Sequence, residues 1–155
     1  MDVSKRIEEY LAGPDELRQA IAGMSAADID AAPVPGKWST RQVICHIADF
    51  EPVYADRMKW IIAEENPLIP GGDHNLFAER LAYGDRDIEE EIQLITAVRL
   101  QAARILKTLC PEQFQRTGIH THDGKVTVAD LLDRITNHIP HHIRLIREKR
   151  EALKG

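Results

Sequence analysis

The chain has 155 residues, enough for one domain (1–155) that buries its own core without staples. Apolar residues make up 43% of it and charged residues 29%, as in ordinary globular proteins, and the net charge is −5 with histidines neutral. That mild acidity argues against a nucleic-acid partner and against a polybasic membrane anchor, and no apolar run approaches the roughly 18 residues that cross a bilayer.

The opening stretch MDVSKRIEEYLAG carries acidic residues and no apolar core of signal-peptide type, so a cytoplasmic location is expected. The first helical length runs from Val3 to about Met24, and Pro14 divides or kinks it. Ser25 caps a short turn that ends at Pro33, Pro35 and Gly36. Ser39 then caps a long helix to about Glu65, in which Val43, Ile47, Phe50, Tyr54, Met58 and Ile61 form one apolar stripe. NPLIPGGD is a loop, followed by a short helix over Asn75 to Ala82. A third long helix opens near Asp85 or Asp87, with acidic residues where the helix dipole favours them, and continues to Cys110, where Pro111 stops it. Its stripe passes through Val98 or Arg99. GIHTHDGKVT contains the turn pair Asp123-Gly124 and reads as a small hairpin. The last helix starts at Thr127, with Asp130 completing a capping box, and reaches about Leu153. Four long amphipathic helices with no sustained period-two alternation make an all-α helix bundle.

Histidine is the unusual residue, seven in all, three of them between positions 138 and 142. His138 and His142 are one helical turn apart on the face that carries Leu131, Ile135 and Leu145, the spacing that chelates one metal through two imidazoles. His46 lies on the apolar stripe of the second long helix, between Val43 and Phe50. An unpartnered buried imidazole costs on the order of 1–3 kcal/mol, and a shared divalent metal removes that cost. A hydrogen-bonded core histidine is the competing reading for each. No glutamate follows His138 as in the H-E-x-x-H zinc proteases.

Around this trio, Asp49 sits on nearly the same face as His46. It is a candidate to orient that imidazole or to accept a proton, against the reading of a solvated charge. Glu51 is rotated away and expected to be exposed, as are His120 and His122 in the hairpin. His141 is expected to face a neighbouring groove or solvent and His74 to lie in a loop, with a place at the pocket the lesser reading for each. Pro140, between the paired histidines, cannot donate to the Thr136 carbonyl, so the helix is expected to bend or open there. The two cysteines, Cys45 and Cys110, form no C-x-x-C pair, and Cys45 is expected to pack as a small apolar residue.

Three stretches together resemble the DinB-like, or YfiT-like, metalloenzyme superfamily: PGKWSTRQVICHIADFE, AVRLQAARILKTL and DLLDRITNHIPHHIRLI. The resemblance covers nearly the whole chain. It implies a four-helix bundle with up-down-down-up connection, often as a homodimer, and a metal triad on His46, His138 and His142. Zinc or nickel, and also iron or manganese, are the metals it implies. Trp38 and Ser39 match its helix-start pair, with packing and capping as their expected roles. Three neutral imidazoles leave a metal at least one open position, the catalytic pattern. A metal-acidified water would make a hydrolase, and a metal-bound low-molecular-weight thiol an S-transferase, each acting on a small-molecule substrate. A non-catalytic metal-binding or stress-response protein is the alternative.

Overall fold

The computed structural model describes residues 2–154. Four long helices form the bundle: α1 (Val3–Ile21), α3 (Thr40–Ala63), α5 (Ile88–Leu106) and α6 (Val128–Ala152). Two short ones join them, α2 (Ala26–Asp30) and α4 (His74–Arg80), with a 3-10 turn at Pro111–Gln115. A small sheet sits beside the bundle: β1 (Leu68–Ile69) runs parallel to β2 (Thr117–His120), which pairs antiparallel with β3 (Gly124–Thr127).

Cross-helix bonds fix the directions. Arg6 reaches Asp133 near the start of α6 while Arg150 reaches the Ala20 carbonyl, so α1 and α6 run the same way. Arg18 pairs with Glu89 and the Tyr10 carbonyl accepts from Arg99, so α5 opposes α1. Arg41 bonds the Arg86 carbonyl just before α5, and Lys59 bonds Gln101 within it, so α3 and α5 are parallel. The chain is therefore an up-down-down-up bundle in which α3 and α6 lie antiparallel. At one end of their contact Val43 and Ile47 share a core with Ile143 and Ile146, and at the other Met58 and Ile61 share one with Leu131 and Leu132.

The two histidine-bearing helices begin at reciprocal caps. Ser39 Oγ accepts from the Gln42 amide at 3.2 Å while Gln42 accepts from the Ser39 amide at 2.9 Å. Thr127 and Asp130 do the same at 3.0 and 2.9 Å. Several boundaries differ from the sequence expectation. Pro14 lies inside a single helix, one of the two readings it allowed, whereas α5 stops at Leu106 rather than Cys110 and the loop 66–73 contains β1. That strand has two residues and exists because the Pro67 and Ile69 carbonyls accept the amides of Ile119 and Thr121. Pro140 does not open α6, which is helical on both sides of it.

Candidate metal centre

The antiparallel contact of α3 and α6 brings His46, His138 and His142 together. His138 Nε2 lies 3.0 Å from Nε2 of His46 and 3.1 Å from Nε2 of His142. Their rings stand edge to face, with centroids 4.6–4.9 Å apart. Hydrogen bonding cannot satisfy this arrangement. A single Nε2 either donates one proton or offers one lone pair, so His138 makes at most one good bond with its two neighbours. Nδ1 of all three rings is buried without a partner among the described residues. A cation among the three Nε2 atoms resolves the conflict. Burial keeps the imidazoles neutral, as ligands must be. Desolvation first, and neighbouring histidines second, hold His46 down to about 4, His142 to about 3 and His138 to about 2. The donor set thus fits a divalent metal.

The cluster opens on a cleft of about 510 Å³. Trp38 forms one wall, its ring 5.3 Å from that of His46 and 6.0 Å from that of His74. His74 is the first residue of α4, placed there because Asp73 caps that helix through the amides of Asn75 and Leu76. His141 lines the same cleft, its ring 5.0 Å from that of His142 and its Nδ1 3.1 Å from an Arg144 nitrogen.

Comparison with known proteins matches this architecture to a family. The sequence profile of the DinB superfamily matches residues 9–146. The chain belongs to the DinB superfamily. YfiT of Bacillus subtilis, named "Putative metal-dependent hydrolase YfiT", is 30% identical over 137 residues, 87% of this chain and 76% of that protein. A protein of Oceanobacillus iheyensis with the same style of name is 29% identical over 141 residues, covering 91% and 81% of the two chains. The solved structure of B. subtilis YfiT superposes with a TM-score of 0.91 at 27% identity, covering 98% of this chain and 87% of that one. It is described as a "probable metal-dependent hydrolase with an unusual four-helix bundle topology".

In this DinB bundle Asp49 is engaged elsewhere. Arg86 holds its carboxylate at 3.0 and 2.9 Å and also bonds Glu91, while His46 Nδ1 has no partner among the described residues and its Nε2 faces His138. The expected orienting role is therefore not the one its contacts express. Glu51 corrects the sequence expectation outright. It is fully buried, paired with Arg99, which is 1% exposed. Arg99 Nε donates to Glu51 at 2.9 Å, and its other nitrogens reach the carbonyls of Tyr10 at 2.6 Å and Ile135 at 3.1 Å. Pro14 has no amide to offer the Tyr10 carbonyl, which is thereby free for Arg99. Gly13 leaves the space: a Cβ there would sit 2.2 Å from Arg99 Nη1. The arginine thus ties α1, α3 and α6 together within about two turns of the histidines. The periodicity of α5 left the stripe position open between Val98 and Arg99 and carries no signal for the charge partner of Arg99.

His120 is also buried, against expectation. Its Nδ1 accepts the backbone amides of His122 and Asp123 at 3.3 and 3.1 Å, a turn-closing role. Cys45 is buried, with its thiol against the Tyr83 carbonyl, and desolvation raises it to about 11, an inert packing residue.

Proposed function

We propose that the chain is a metal-dependent enzyme acting on a small molecule, with one divalent ion on His46, His138 and His142. The observation that carries this reading is the convergence of three neutral Nε2 atoms, 3.0 and 3.1 Å apart, at the floor of an open cleft. Three protein ligands leave a position for substrate, which distinguishes a catalytic from a closed structural site. His46, His138 and His142 would hold the ion, which when bound would supply Lewis-acid chemistry toward a substrate oxygen, water or a thiol. Zinc and nickel suit an all-imidazole set best, with iron and manganese the alternatives.

The chain's own residues supply binding and proton handling. Trp38 offers an apolar wall to the substrate. His74 and His141 line the cleft and are the side chains placed to hold or pass a proton. Asp49, bound to Arg86, fixes the loop before α5 to α3 rather than serving as base. Transfer to a low-molecular-weight thiol is the reaction we favour. A thiol needs less help from a base than water does. Hydrolysis is the second reading, and the names of the relatives favour it. A homodimer belongs to the same proposal and is checked by sedimentation velocity.

The discriminating experiment is a screen of the zinc- and nickel-loaded protein. Electrophiles are offered with and without small thiols, and esters and amides without them, each with and without chelator. Thiol-dependent product that disappears with chelator and in His142→Ala supports the transferase, and thiol-independent cleavage with the same sensitivities supports the hydrolase. Turnover indifferent to both chelator and His142→Ala overturns the proposal.

A further inference from the structure

The cleft above the histidines holds a charge imbalance that metal binding does not use. Lys149 lines it from α6, two turns beyond His142, and is only 4% exposed. Its ammonium makes one hydrogen bond, 3.3 Å to the Leu145 carbonyl of its own helix. Among the described residues no carboxylate pairs with it. Lys37, on the segment before α3, lines the same cleft; burial pushes the Lys149 ammonium below its usual range, Glu148 opposes that shift, and Lys37 adds to it more weakly. A buried ammonium without a paired anion is costly, and a ligand that brings the anion recovers that cost. Trp38, Val43 and Leu145 add apolar lining to the same cleft, beside His74, Asn75 and His141.

We propose that Lys149 and Lys37 form a subsite for the carboxylate of an amphipathic substrate whose reacting end lies at the histidine cluster. The assignment of the reacting end rests on the function proposed above, whereas the carboxylate subsite stands on the two lysines. Seven residues separate His142 from Lys149, about 10 Å along the helix, which sets the length of the molecule. Trp38 and Leu145 hold its apolar middle. Two lysines less one glutamate leave a single positive charge, matched to one carboxylate. Among the described residues no arginine fork of the kind that grips a phosphate dianion lines the cleft.

The test is an NMR titration of the metal-free and zinc-loaded protein with hexanoate, hexanamide and inorganic phosphate. Hexanoate is expected to shift the Lys149 side-chain and Trp38 indole resonances saturably, with hexanamide at least tenfold weaker. Lys149→Met is expected to abolish that preference, with Lys149→Arg restoring part of it. If Lys149→Met does not fold, Lys37→Met is expected to weaken hexanoate severalfold while leaving hexanamide unchanged. Equal responses to hexanoate and hexanamide, a preference that survives Lys149→Met or, where that variant does not fold, Lys37→Met, or phosphate binding as tight as hexanoate overturns the subsite. The two proposals separate cleanly. Protein that takes up no zinc but prefers the carboxylate ends the metal reading alone, and zinc uptake without carboxylate preference ends the subsite alone.

Discussion

His138 stands between His46 and His142, and each of the three rings also buries an Nδ1 without a partner among the described residues. The sign of the resulting pH dependence follows from where protons bind. Unfolded imidazole takes its proton near 6.5, whereas the folded rings stay neutral down to about 4, 3 and 2. The unfolded chain therefore binds more protons below 6.5, so stability is intact above that value and lost as pH falls. Thermal melts of the metal-free protein are expected to show a falling midpoint from pH 7 to 5, at up to about 1.4 kcal/mol per pH unit for each histidine. A flat profile across that range would contradict the burial of neutral rings. Exchanging one ligand, as in His46→Ala, is expected to lower zinc affinity at least 100-fold in a competition titration with a chromogenic chelator. The spacing of His138 and His142, and the place of His46 on an apolar stripe, made this trio legible in the sequence. The buried Glu51 was not legible, because an acidic residue looks solvated until its partner is known, and Arg99 lies 48 positions away.

At the scale of elements, the helix starts follow from local chemistry. Ser39 and Thr127 cap α3 and α6 through bonds three residues long, which any reader of the sequence can place. Ser39→Ala is expected to cost about 1 kcal/mol in urea unfolding. Elements that depend on distant partners were less visible. β1 is a strand only because it meets β2, about 50 residues later, and α5 ends early where the chain tightens into turns before Pro111. The Arg99 clamp is a fully buried non-local tie between helices. Removing one charge of a buried pair leaves the other uncompensated, so Glu51→Gln and Arg99→Met are each expected to destabilise by about 3–5 kcal/mol in chemical denaturation. Gly13→Ala, which pushes a methyl into Arg99, is expected to destabilise in the same assay. A loss under about 1 kcal/mol in the two charge variants would show that the clamp is dispensable.

For the molecule as a whole, the periodicity of four long helices foretold a bundle, but not which helices touch. That order decides whether His46 meets the other two histidines. It is set by the shared cores of α3 and α6 and by connections long enough to keep α3 parallel to α5. The same order places Trp38, His74 and Lys149 around one cleft, although they come from three separate parts of the chain. Zinc K-edge X-ray absorption on stoichiometrically loaded protein, compared with His46→Ala, examines the centre most directly. A three-histidine centre requires three imidazole nitrogens at about 2.0–2.1 Å with a further light-atom ligand, and one imidazole fewer in the variant. Failure to retain a metal, or an identical spectrum without His46, would contradict it.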